Sequence, residues 1–166
     1  MTYATNSSET GWRGFHHVAL ATRDLDATIA FYGGVLGMRA GEVSRRGPNR
    51  HCFVTPGDGA GWGLHFFEHQ DAQLFTELEE MRAVLTDPSA RHESLPGALQ
   101  HIAFALPDEA AALALRERLR ARDLPVTATF DYGATRGFMF ADLSGQLLEA
   151  TWPSTADGDA SRGPAV

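Results

Sequence analysis

FHHVALA at residues 15–21 and LQHIAFA at residues 99–105 fall on each other when the chain is slid along itself by 84 positions, with no gap needed. The same offset sets Asp24 on Asp108, Asp58 on Asp142 and Gly61 on Gly145. Ile29 and Val35 meet Leu113 and Leu119, whereas Leu36 meets Arg120. A pattern sustained at one period marks two copies of a single supersecondary unit. Each copy reads as a strand, a helix and then further strands. In the first, a strand over 15–21 leads into a helix over 24–36, with Asp24 as its N-cap, Leu25, Ile29, Tyr32 and Leu36 at helical spacing, and Gly37 as its stop. Strands are expected near 41–46, 50–55 and 62–68, separated by the turn-rich RRGPN and PGDGAG. The second copy predicts a strand over 99–106, a helix over 108–122, and strands near 125–131, 136–141 and 146–152. Between the copies, 72–85 predicts an amphipathic helix carrying Leu74, Leu78, Met81 and Leu85 on one stripe, packed on a sheet or a partner subunit. The loop TDPSARHESLPG follows it.

Composition narrows the function classes. The 166 residues suit one compact domain, expected over 13–153, with a first module at 13–70, an inserted helix and loop at 71–98, and a second module at 99–153. The polar stretches 1–12 and 154–166 have no periodicity that buries a face and are expected to be disordered. A net charge of −7 with scattered arginines argues against a nucleic-acid partner. No apolar run approaches the roughly 20 residues of a membrane span. The first residues show neither a basic nor an apolar stretch of the kind a secretory signal carries. The lone Cys52 excludes an intrachain disulfide framework and fits the cytoplasm; it reads as a small hydrophobe.

Alternation along the strands separates two faces. Val18 and Leu20 share a face suited to packing beneath the helix, and His16 falls with them. His17, Ala19 and Ala21 line the other, which leaves space beside the imidazole. The second copy repeats this, with Ile102, Phe104 and Leu106 against His101, Ala103 and Ala105. His65 falls on Glu149 at the same offset, so His17/His65 and His101/Glu149 are each separated by 48 residues. If the modules are related by a twofold axis, the four side chains converge. Imidazoles with a carboxylate are the usual ligands of Zn, Fe, Mn, Co or Ni. A single strand histidine is more often structural, but Glu149 lies in the apolar run QLLEATW, where an unpaired carboxylate is costly.

FHHVALATRDLDATIAFYGGVLGM, LQHIAFAL and ADLSGQLLEATW resemble the vicinal oxygen chelate superfamily of glyoxalases, epimerases, extradiol dioxygenases and fosfomycin- and bleomycin-resistance proteins. The resemblance covers about residues 14–153 and implies an α+β fold of two tandem βαβββ modules forming an incomplete eight-stranded barrel around a divalent metal ion. It also implies that His17, His101 and Glu149 are ligands. His65 stands where glyoxalases carry Glu, so it is either a fourth ligand, the favoured reading, or a base beside the metal.

The implied activity is a metal-dependent enzyme that chelates two adjacent oxygens of a small substrate. Four protein ligands leave two open positions, which suits a lyase or isomerase working by proton transfer, with Glu149 or His65 as the base. The alternative is an Fe(II) extradiol dioxygenase using His17, His101 and Glu149. Against it, Met139 and Phe140 stand where those enzymes place an acid/base tyrosine, and the reach of nearby Tyr132 is open. A third possibility is a metal-free drug-binding resistance protein. Phe67, on the face of His65, is expected to line the pocket with His51, Arg50, Arg136, Tyr132 and Phe140, the arginines as anion contacts. A homodimer is expected.

Overall fold

The computed structural model of the protein describes residues 15–57, 63–87 and 99–154. The stretches expected to be disordered, apart from Ser154, and nearly all of the loop after the inserted helix lie outside these residues. The first module begins with β1 (His17–Thr22), α1 (Leu25–Ile29) and a π-helical segment, Ala30–Val35. Four strands follow: β2 (Arg39–Ala40), β3 (Ser44–Arg46), β4 (Asn49–Thr55) and β5 (Gly63–Glu68). After α2 (Leu78–Thr86), the second module runs through β6 (Ile102–Ala105), α3 (Glu109–Arg120), β7 (Phe130–Asp131), β8 (Thr135–Ala141) and β9 (Leu147–Pro153). Two sheets result, in the order β1-β5-β4-β2 with β3 on β4, and β6-β9-β8-β7; they do not close into a barrel.

The repeat is exact where the modules begin. Asp24 caps α1 by accepting from the Ala27 amide, and Asp108 caps α3 by accepting from the Ala111 amide, each three residues on. Both first strands pair in parallel with the last strand of their module, and Ala19 lies beside His65 as Ala103 lies beside Glu149. One correction concerns the middle strands: Phe53 pairs with His65 and Met139 with Glu149, so β8 is displaced from β4 by 86 rather than 84.

The expected first helix changes type after five residues. Gly33 and Gly34 weaken α-helical continuation, and the Leu36 amide reaches back to the Phe31 carbonyl. The expected strand over 125–131 shrinks to β7 and one bridge at Val126, because the Thr127 hydroxyl takes the Met139 amide that a ladder would use. The inserted helix begins six residues late, since the Phe75 amide bonds the Ser144 carbonyl in the β8–β9 turn.

Alternation decides the core. Leu20, Cys52, Val54, Leu64 and Phe66 of the first sheet and Phe138, Phe140, Leu148, Ala150 and Trp152 of the second are buried against the helices in one cluster. Each large side chain buried this way contributes about 1.5–3 kcal/mol. Polar contacts tie the modules together: the Tyr32 hydroxyl donates to Asp142 at 2.8 Å, and Arg118 donates to the Val35 carbonyl at 2.9 Å. A second, smaller cluster packs Met81 and Leu85 of α2 onto Met139, Ala141 and Leu147, on the other face of the second sheet. Among the described residues no helix is long and apolar enough to cross a membrane.

Candidate functional site

The faces away from α1 and α3 carry the chemistry. Ala19, Ala21, Ala103 and Ala105 are exposed there, while Val18, Leu20, Ile102 and Phe104 turn to the core. His17 opens β1 in an exposed position, and its ring lies 5.5 Å from that of His65. His16 departs from the expected alternation. It precedes β1, so strand parity does not apply, and its Nδ1 lies 2.9 Å from Nδ1 of His17 with one proton between them. His65 is buried, stacked under Phe53 at 3.8 Å and flanked by Phe67 at 4.2 Å. Its Nε2 shares a proton with Nδ1 of His51 at 3.0 Å. Burial, followed by the nearby positive charge of His51, His17 and Arg46, holds the His65 pKa below the ordinary imidazole range.

In the second module His101 Nε2 lies 3.2 Å from Glu149 Oε2. Burial raises the Glu149 pKa, against the pull of the His101 charge and a hydrogen bond from Tyr132. Tyr132 therefore reaches the carboxylate, which its place in the sequence left open. Gly137 makes the space: a Cβ there would stand 2.6 Å from Glu149 Oε1 and 3.4 Å from the Tyr132 ring.

Three expected lining residues face the other way. Arg50 shares the helix side of β4 with Cys52 and Val54, and its guanidinium is held by Asp26 at 2.6 Å and Glu68 at 3.2 Å. Arg136 is likewise drawn to Glu109 of α3 at 2.8 Å. Both arginines join a sheet to the first turn of its helix. Phe140 is buried in the main core, since β8 alternates and Met139 is the residue opposite Glu149. His51 and Phe67 do stand on the face of His65. Phe53 went unnoticed although its strand parity with His51 signals it; Gly137 carried no comparable signal.

Chemically, one module offers imidazoles among phenyl rings and the other a carboxylate with a raised proton affinity, held by an imidazole and a phenol. The donors are of the type that binds a divalent metal, but they stand as two pairs. Among the described residues no three His, Cys, Asp or Glu side chains are grouped to hold one ion, so the expected convergence of four is not assembled. A polar cavity of about 720 Å³ lies at the other end of β1 and β5, lined by Ala21, Arg23, Asn49, Glu68 and His69, apart from both pairs.

Comparison with known proteins agrees with this architecture. The sequence model of the Glyoxalase/Bleomycin resistance protein/Dioxygenase superfamily matches residues 14–150. No curated protein matches the sequence. Among solved structures, the glyoxylase/bleomycin resistance protein/dioxygenase domain from Frankia sp. EAN1pec is similar at 22% identity and a TM-score of 0.65, over 88% of this chain and 96% of that one. TnmS3, an antibiotic binding protein from Streptomyces sp. CB03234, is similar at 18% identity and a TM-score of 0.58, over 87% and 98%. The fosfomycin resistance protein FosX from Listeria monocytogenes, complexed with Mn(II) and sulfate, gives 18% identity and a TM-score of 0.54, over 87% and 95%. At these identities the likeness concerns the fold. With its two βαβββ-like modules and a match over most of its length, the chain belongs to the Glyoxalase/Bleomycin resistance protein/Dioxygenase superfamily.

Proposed function

We propose that this protein is a metal-dependent enzyme of the cytoplasm that binds a small substrate through two adjacent oxygens and moves a proton on it, as a lyase or isomerase. The observation that carries the reading is the matched register of the donors, His65 beside Ala19 and Glu149 beside Ala103, with His17 and His101 at the heads of the adjoining strands. His17, His65, His101 and Glu149 would hold the ion, one of Fe, Mn, Ni, Co or Zn, which supplies Lewis-acid polarisation of the substrate oxygens when bound. Glu149 serves as the base, since its burial favours the protonated form and His101 and Tyr132 orient it. His51 accepts or returns a proton at His65 Nε2. Because the donors stand as two pairs, one at the start of edge strand β1 and on its neighbour β5, the other just before edge strand β6 and on its neighbour β9, we assign the complete site to a homodimer in which the first pair of one copy faces the second pair of the other.

Anaerobic loading with each metal, followed by elemental analysis and solvent-deuterium incorporation into α-hydroxy-ketones and acyl thioesters, tests the activity. Retention of no metal after reconstitution overturns the metal reading. For the shared site, H17A and H101A should each lose the metal alone and regain part of it when refolded together. Loss that persists in the mixture, while wild type binds the metal, returns the site to a single chain.

The contact of Tyr132 with Glu149 favours a second reading, an Fe(II) extradiol dioxygenase in which the phenol is the acid/base group. Oxygen uptake with a catechol panel, abolished in Y132F, would replace the first reading with this one.

A further inference from the structure

The site face of the first sheet carries five rings in mutual contact. Phe53 stacks on His65, with ring centres 3.8 Å apart and an angle of 17°. Phe67 supports His65 at 4.2 Å, and His51 closes on both at 5.0 and 5.4 Å. His17 stands edge-on to Phe53 at 5.4 Å and 83°, like a wall beside a floor. Phe53 is nevertheless 37% exposed, because one of its faces covers His65 and the other meets solvent. The adjoining residue on β2's continuation is Gly41, whose amide bonds the Phe53 carbonyl at 2.8 Å. A Cβ at Gly41 would stand 3.3 Å from the Phe53 carbonyl oxygen and 3.9 Å from its Cβ, so a branched side chain there would crowd the base of the phenyl group. The second sheet has no equivalent: Met139 occupies the place of Phe53 and lies under α2.

We infer that the Phe53 ledge is a stacking subsite and that the substrate of this site is a planar aromatic compound bearing an acidic oxygen, a phenol or a carboxylate. The inference rests on the small-substrate reading above and specifies its chemical class. Flat π-systems gain from offset and edge-to-face contact beyond their buried area, and floor and wall supply one of each. The ring cluster contains three imidazoles and no carboxylate, and Arg46 lies close enough to act on His65 electrostatically. That environment favours an anionic or phenolic oxygen at the ring edge over a neutral one. A ring on Phe53 directs that edge toward His17, where the donors of the first pair stand.

The test uses the full-length protein treated with chelator, so that stacking is read apart from metal binding. Calorimetric titration compares 2-naphthoate with decahydro-2-naphthoate, which has the same charge and carbon skeleton but no π-system. The aromatic acid should bind roughly 3- to 10-fold tighter, from the usual worth of an aromatic pair. F53L, which keeps apolar bulk, should abolish that preference, and G41V should weaken the aromatic acid by a similar factor. Equal affinities in wild type, or a preference that survives F53L, overturn the inference. So does an affinity that falls as protein concentration rises, because a second copy then covers the ledge. Elemental analysis of the reconstituted protein is scored separately, and a stacking preference in a protein that retains no metal upholds this inference while ending the metal reading.

Discussion

The two modules share one plan and differ in what they do with it. Both begin with a histidine, His17 opening β1 and His101 just before β6, followed by two exposed alanines on that strand; both cap the next helix with an aspartate, and both set a candidate donor on the last strand beside an alanine of the first. In the first module that donor is His65 among rings, beneath a Phe53 side chain that remains exposed. In the second it is Glu149, beside His101 and Tyr132, with α2 packed over the adjoining end of the face. Duplication thus supplied the positions, and divergence supplied opposite chemistries: a desolvated imidazole that resists protonation and a desolvated carboxyl group that holds its proton more firmly. Burial is the first cause of both shifts, acting in opposite directions because one group is cationic and the other anionic when charged.

The strongest way to break the comparison is to cut the joint between the modules. Asp142 accepts from the Tyr32 hydroxyl and from the Ser144 and Gln146 amides, all in the interior. D142A leaves these donors without a partner and should cost about 3 kcal/mol in urea unfolding, with Y32F costing about 1 kcal/mol. A D142A protein as stable as wild type would show that this buried contact does not hold the modules together, leaving that to apolar packing and the Arg118–Val35 hydrogen bond.

The caps give a sharper and smaller test. D24A and D108A each remove one side-chain acceptor at an equivalent helix start and should each cost about 1 kcal/mol. Similar losses in chemical denaturation extend the equivalence to energetics. A much smaller loss for D24A would mean that the five-residue α1 is held by its packing, with Leu25 and Thr28 buried, rather than by its cap.

The smallest effect is in pH dependence. In the metal-free protein the pKa of His65 is below that of the unfolded chain, so the unfolded state takes up a proton that the folded state resists. Stability from this group is therefore full above about pH 6.5 and is lost as the pH falls through the unfolded value toward the lower folded one. Replacing His65 by Asn should flatten the stability profile below about pH 6.5. A slope unchanged by H65N would assign the acid sensitivity to another group.

The sequence carried the fold to a useful depth. An offset of 84 aligned both caps and set His65 on Glu149, which take equivalent places on the last strands, and alternation correctly turned Ala19, Ala21, Ala103 and Ala105 outward. It misled where a residue was not in the assumed element. His16 lies outside β1, and the two-residue displacement of β8 put Met139, not Phe140, across from Glu149. Arg50 and Arg136 were read as rim cations because sequence spacing does not reveal that Asp26 and Glu109 stand within reach. The reach of Tyr132 to Glu149 was equally hidden, since it depends on the turn between β7 and β8 and on the missing side chain at Gly137.

What the sequence determined by itself is periodic and local: two βαβββ-like units, their caps, and which side chains share a face. These follow from a two-residue strand repeat, a 3.6-residue helix repeat and hydrogen bonds three residues apart. What only the tertiary structure decided is which groups meet across elements. It stacked Phe53 on His65, drew Tyr132 to Glu149, turned two arginines to helix carboxylates and kept the donors in two pairs. Such contacts join residues from different elements, through packing and electrostatics that no local periodicity encodes.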